Sequence, residues 1–355
     1  MNKGISFALL AAVLFGASTP LAKILGAEAA PVLLAGLLYA GSGIGLGIWL
    51  LARRARPDRA AETAGVLTAG DYPWLAGAVL SGGMLGPVML MTGLAQVQGS
   101  TASLLLNLEG VLTALLAWFV FREQFDRRIF IGMVLIIAAG LVLAGQSGWN
   151  QVNGFGMPWG ELCIAAACLC WAIDNNLTRK VANGDALQIA MIKGLAAGAV
   201  NLGIALGWLN HPLPALPQAT AAGLVGFAGY GLSLVLFVLA LRHLGTARTG
   251  AYFSLAPFVG ASLSLLLLGD QPGPLFWLAA LLMAAGIWLH LTERHSHTHR
   301  HEPLAHSHSH AHDEHHQHPH DGAWDGSEPH IHFHRHAPLV HKHPHFPDAH
   351  HRHHH

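Results

Sequence analysis

Four ionisable side chains stand inside otherwise apolar stretches: Lys23, Glu109, Asp174 and Lys193. A charge at the centre of a membrane helix costs roughly 3 kcal/mol or more, so such a group faces a protein interior and takes a partner or a ligand. Asp174 lies five residues before Arg179, about 7–8 Å along a helix, and Lys193 enters the next apolar stretch to about 10 Å from the same end. The two are expected to meet at similar depth, either lining a wet cavity or forming a structural clamp. Asp174, Asn175 and Asn176 together sweep about 200° of a helix, too much for one narrow contact stripe. Glu109 could exchange a proton, or serve as a structural carboxylate. Lys23 could pair with it near the opposite end. Asn107 and Tyr252 are further candidates for a polar cavity, although each alone is more often a helix–helix hydrogen bond.

A second chemistry sits at the C-terminal end. All but three of the 27 histidines (His211, His243 and His290) follow Leu291. His306, His308, His310 and His312 alternate with other residues, and His315, His316, His318 and His320 follow Asp313 and Glu314. Neutral imidazole is the commonest ligand for Zn2+, Ni2+ and Co2+, so this stretch is expected to bind them. It has few large apolar residues and many prolines, and it reads as disordered.

The elements that position the intramembrane charges are long. The chain has 355 residues, 52% hydrophobic and 11% charged, against about 25% charged in a soluble domain. Formal net charge is zero, which gives no reason to expect nucleic acid as a partner. Crossing a bilayer takes about 20 apolar residues. Ten runs approach this, near 4–25, 31–52, 73–95, 101–121, 128–145, 159–178, 186–208, 219–241, 249–268 and 274–291. The first could pass for a signal peptide, but it is long and contains Pro20 and Lys23. The three cysteines share one apolar run, which argues against a disulfide framework. Lys and Arg fall in alternate connections (Arg53–Arg59, Arg122–Arg128, Arg179–Lys180, Arg242–Arg248 and Arg294–Arg300), and the intervening connections have none. By the positive-inside rule both termini are cytoplasmic.

The run Asn107–Phe125 is repeated at Ser254–Pro272 with a fixed offset of 147: Leu108 with Leu255, Ala114 with Ala261, Leu116 with Leu263, Glu123 with Asp270. A duplication of five-span units inverts the second copy, because five is odd. The body resembles the EamA branch of the drug/metabolite transporter superfamily. LEGVLTALLAWFVFREQF and LAPFVGASLSLLLLGDQP look like its signature, and LFGASTPLAKI and CWAIDNNLTRK look like the opening helix of each of its repeats. The chain departs from that pattern at Gly110, Ala256 and Leu38. The resemblance implies an all-α membrane protein of ten transmembrane helices in two inverted five-helix repeats, 1–146 and 157–291, followed by the tail 292–355. It also implies a central cavity and secondary transport of a small solute, often export. No cofactor is required and no enzyme activity is expected. The expected partners are a small-molecule substrate, the lipid bilayer (a bacterial inner membrane) and divalent metal on the tail, and a homodimer is left open. Two other readings remain: a Zn2+, Ni2+ or Co2+ exporter fed by the tail, and a membrane-anchored metal sensor or store.

Overall fold

The computed structural model describes residues 3–27, 29–54, 67–121, 127–149, 157–181 and 185–292, and the strands 296–301, 304–310, 330–336 and 339–344. The chain divides into two units, Met1–Glu293 and Arg294–His355.

The first unit is helical throughout its described residues. In chain order it holds α1 (Lys3–Leu25), α2 (Pro31–Arg54), α3 (Tyr72–Ala78), α4 (Gly86–Leu94), α5 (Gly99–Leu105), α6 (Leu108–Phe121), α7 (Arg127–Trp149), α8 (Trp159–Val181), α9 (Ala186–Gly203), α10 (Leu216–Gly226), α11 (Ser233–Phe253), α12 (Ala256–Leu267) and α13 (Pro274–Leu291). Two joints are wide π-type turns, Val79–Leu85 between α3 and α4 and Phe227–Leu232 between α10 and α11. A third π-type turn, Ile204–Trp208, prolongs α9.

Seven helical runs are long and apolar enough to cross a bilayer, and α12 and α13 are shorter apolar helices. The remaining helix, α8, carries Glu161, Asp174, Arg179 and Lys180, which explains its lower apolarity. Large apolar side chains lie exposed along the bundle, among them Phe119, Leu141, Leu224, Leu266 and Leu281. A belt of this kind belongs against lipid, not water. Tryptophans 49, 74, 159, 208, 277 and 288 are exposed near helix ends, where interfacial anchors sit. The chain is an integral membrane protein.

One expected boundary moves. The sequence predicts a connection at 242–248, where α11 is continuous to Phe253, and the chain breaks instead inside the expected ninth span, at Ser254–Leu255. The physical reason is Pro257, which has no N–H to continue the ladder. The equivalent break between α5 and α6 falls at Leu106–Asn107 with no proline. There the Asn107 side chain donates to Leu104 O at 3.1 Å, competing with the backbone for that carbonyl. Both breaks tighten to three-residue bonds, Asn107 N to Leu104 O and Leu255 N to Tyr252 O.

Small residues decide which helices touch. α2 packs on α9, where a Cβ on Gly194 would sit 2.6 Å from Gly43 N and 2.8 Å from its Cα. α7 packs on α13, where a Cβ on Gly132 would meet Gly286 O at 2.8 Å, and one on Gly286 would meet Gly132 O at 2.7 Å. Backbones this close gain dispersion contacts and need glycine at the crossing. α1 packs on α11 and α12, and α8 packs on α4 and α6.

In the second unit, β1 (Ser296–His301) pairs antiparallel with β4 (Leu339–Pro344), and β2 (Leu304–His310) with β3 (His330–His336). The composition of the tail predicts disorder. The described residues there carry these two ladders, whose two-residue period matches the His-x-His alternation.

Candidate functional site

The turn Val79–Leu85 packs on both α8 and α9, and its Gly82 and Gly83 leave the room that the charged pair occupies. A side chain on Gly82 would overlap the Asp174 carboxylate, and one on Gly83 would meet Ala197 Cβ at 2.9 Å. Past these glycines, Lys193 Nζ donates to Asp174 Oδ1 and Oδ2 at 2.6 and 2.7 Å and to Thr178 Oγ1 at 3.2 Å. Thr178 Oγ1 donates to Asp174 Oδ1 at 2.8 Å. All three ammonium protons are therefore used. α9 is started by Asp185, whose carboxylate accepts from Leu187 N at 3.0 Å and pairs with Arg53 at the end of α2.

Next to Asp174 in the chain, Asn175 Nδ2 donates to Glu109 Oε1 at 2.8 Å and to Thr113 Oγ1 at 3.4 Å. Asn176 Nδ2 donates to Ala172 O at 2.8 Å and to Thr113 O at 3.3 Å. Asn176 thus ties α8 to α6. Asn175 is exposed, as are Leu162, Leu169 and Ile173 on the same helix. At 100° per residue, however, Asn175 points roughly 140° away from that apolar stripe, into the face otherwise buried by Ile164, Cys168 and Trp171. An exposed polar residue on the buried face of a membrane helix opens onto an internal space. The half-buried Phe15 of α1 lies likewise opposite Leu10 and Val13, which face lipid.

Around this space the rings gather. Phe15 packs against Trp171 (centroids 6.2 Å), Tyr230 (6.0 Å) and Phe253 (5.5 Å), and Tyr39 packs against Tyr230 (5.4 Å). Tyr39 Oη and Trp171 Nε1 both donate to Gly82 O at 2.9 Å. This puts the aromatic cluster beside the glycine turn that borders Asp174.

The expected residues thus divide. Asp174 meets Lys193, and Asn175 joins Glu109 to α8. Lys23 does not pair with Glu109: its Nζ donates to Leu94 O at 2.6 Å and Val97 O at 2.5 Å, at the end of α4. The carbonyls freed where that helix stops are nearer acceptors than a carboxylate in the bundle centre. Asn107 serves the helix break and contacts Met283 Sδ at 3.6 Å. Tyr252 is half-buried in the last turn of α11, and its neighbour Phe253 is the ring that joins the cluster. Phe15, Tyr39, Trp171, Phe253, Thr113 and Thr178 were missed. A signal existed for two of them, because Phe15 and Trp171 occupy matching positions in the two opening-helix motifs LFGASTPLAKI and CWAIDNNLTRK.

Among the described residues no three His, Cys, Asp or Glu side chains are grouped to hold a metal ion. His306, His308 and His310 lie on β2 opposite His334, His332 and His330. His312, His315, His316, His318 and His320 lie outside the described residues.

The family model for EamA-like transporters matches the chain twice, over residues 2–145 and 158–292. The chain belongs to the EamA-like transporter family. It is a secondary membrane transporter and not an enzyme. An uncharacterized transporter of Methanothermobacter thermautotrophicus is 27% identical over 292 residues, 79% of this chain and 84% of that one. The uncharacterized transporter YyaM of Bacillus subtilis is 22% identical over 177 residues, 48% of this chain and 57% of its own length. A short stretch is 43% identical to a probable 4-amino-4-deoxy-L-arabinose-phosphoundecaprenol flippase subunit of Pseudomonas aeruginosa, over 21% of this chain and 63% of that protein. One crystal structure superposes with a TM-score of 0.58 at 19% identity, covering 80% of this EamA-like chain and 95% of the other, which is a likeness of fold.

Proposed function

We propose that this EamA-like chain exports a small solute by alternating access between two five-helix repeats, 1–146 and 157–291, that lie in opposite orientations in a bacterial inner membrane with both termini cytoplasmic. The observation that carries the reading is the exposed Asn175 on the otherwise buried face of α8, through which the second repeat bonds to Glu109 and Thr113 of the first. The packing supports two related halves. The second helices of the repeats, α2 and α9, pack on each other, and so do the last, α7 and α13. The pairing of α1 with α11 and α12 is answered by that of α8 with α4 and α6. Gly82 borders Asp174 as Gly229 borders Ser18, on matching π-type turns. The alternation of basic and neutral stretches supports the orientation, with Arg242 and Arg248 falling within α11.

The tail is an accessory that binds Zn2+, Ni2+ or Co2+ and is not the transport path. Two measurements test the transport reading. A reporter fused at residue 150 should sit outside the cytoplasm, and a cytosolic signal there would end the inverted arrangement. With the native cysteines replaced, a single cysteine at Thr113 should react with impermeant reagents added to either side of the membrane. Reaction from one side alone would remove alternating access.

A further inference from the structure

The charges of the central region do not balance. Asp174 is neutralised by Lys193, whose three protons are all engaged. Lys23 is held at the end of α4 by two carbonyls. That leaves Glu109, whose hydrogen-bond partner is the neutral Asn175 amide; among the described residues no cationic side chain is hydrogen-bonded to it. Tyr39 belongs to the cluster in which Phe15, Tyr230, Trp171 and Phe253 converge from both halves. Trp171 and Asn175 are one turn apart on the same face of α8, about 6 Å, so the rings and the carboxylate border one space.

A carboxylate whose hydrogen-bond partner is a neutral amide, bordering the same space as several rings, has one complementary ligand chemistry. Ring faces attract cations, most strongly where water is excluded. A carboxylate in a poorly solvated site gains most from an opposite charge. An anion would meet Glu109 and the ring faces with the wrong sign. A neutral solute would leave Glu109 without a counter-charge. We propose that the central site selects solutes that bear a positively charged nitrogen beside an apolar or aromatic body, with Glu109 taking the charge and Phe15, Tyr39 and Tyr230 taking the body. This rests on the transport reading above and adds the substrate class.

The test uses the full chain in proteoliposomes with a chelator on both sides, so that the tail holds no metal. Benzyltrimethylammonium, phenylacetate and benzyl alcohol share one ring and differ in charge. Saturable uptake of the cation alone is expected. Glu109→Gln, which keeps an acceptor for Asn175, should lower it at least tenfold, and Glu109→Asp should hold it within a few-fold. Phe15→Leu should raise the half-saturating concentration several-fold. Cation uptake that Glu109→Gln and Phe15→Leu leave unchanged would overturn the assignment, as would saturable uptake of phenylacetate or benzyl alcohol instead. If none of the three moves while a cysteine at Thr113 still reacts from both sides, the substrate class is wrong and the transport reading stands. If that cysteine reacts from one side only, the transport reading itself fails.

Discussion

Lys193 crosses the gap left by Gly82 and Gly83 to reach both carboxylate oxygens of Asp174, and each side chain keeps only 9% of its surface exposed. In such a setting the pair's mutual attraction roughly offsets the cost of burying the charges, so its net contribution is small, but removing one partner strands the other. Lys193→Met should therefore destabilise the protein by about 3–5 kcal/mol. The double variant Lys193→Met, Asp174→Asn should recover much of that loss. Thermal melting in detergent measures both, and a double variant no more stable than the single one would mean the pair is more than a mutual compensation.

The contact of α2 with α9 depends on the absence of side chains at Gly43 and Gly194. Gly194→Leu should force those helices apart and reduce the yield of monodisperse protein several-fold. Gly203→Ala, on the same helix with nothing within 4 Å of the added Cβ, should change stability by well under 1 kcal/mol, as surface substitutions do. Equal loss in both variants, read by gel filtration, would refute close approach as the reason for the glycines.

The spans were legible because the sequence alternates long apolar runs with short polar connections, a pattern that length alone converts into helices. The Asp174–Lys193 pair was legible because both depths could be counted from the basic connection at Arg179. Lys23 was misplaced because backbone carbonyls at a helix end leave no trace in side-chain identities. The continuity of α11 across 242–248 was hidden because the basic residues Arg242 and Arg248 suggest a connection there. The aromatic cluster was hidden for a different reason: its rings come from five elements, and nothing in a run of apolar residues says which ring faces inward.

Imidazole titrates near pH 6.5, and protonation removes the lone pair that binds metal. The full chain should bind several Zn2+ or Ni2+ ions at pH 7.5 and lose most of that binding below about pH 6. A chain stopped at Arg294 should bind far fewer at either pH. Calorimetric titration of both chains is the check. Equal binding by the two would move the metal sites out of the tail, and unchanged metal tolerance of cells carrying the shortened chain would separate the tail from transport.

The end of the bundle near Lys23 is tied across the two halves. Lys23 holds Leu94 O and Val97 O, its stem passes Gly99, and Asp270, beyond α12, accepts from Ser100 N at 2.8 Å at the start of α5. A carboxylate there also meets the positive end of the helix dipole. Lys23→Met and Asp270→Asn should loosen this end and speed reaction of a cysteine placed at the buried Ser103 with an impermeant reagent added outside. Unchanged reactivity in both variants would show that these contacts do not hold that end closed.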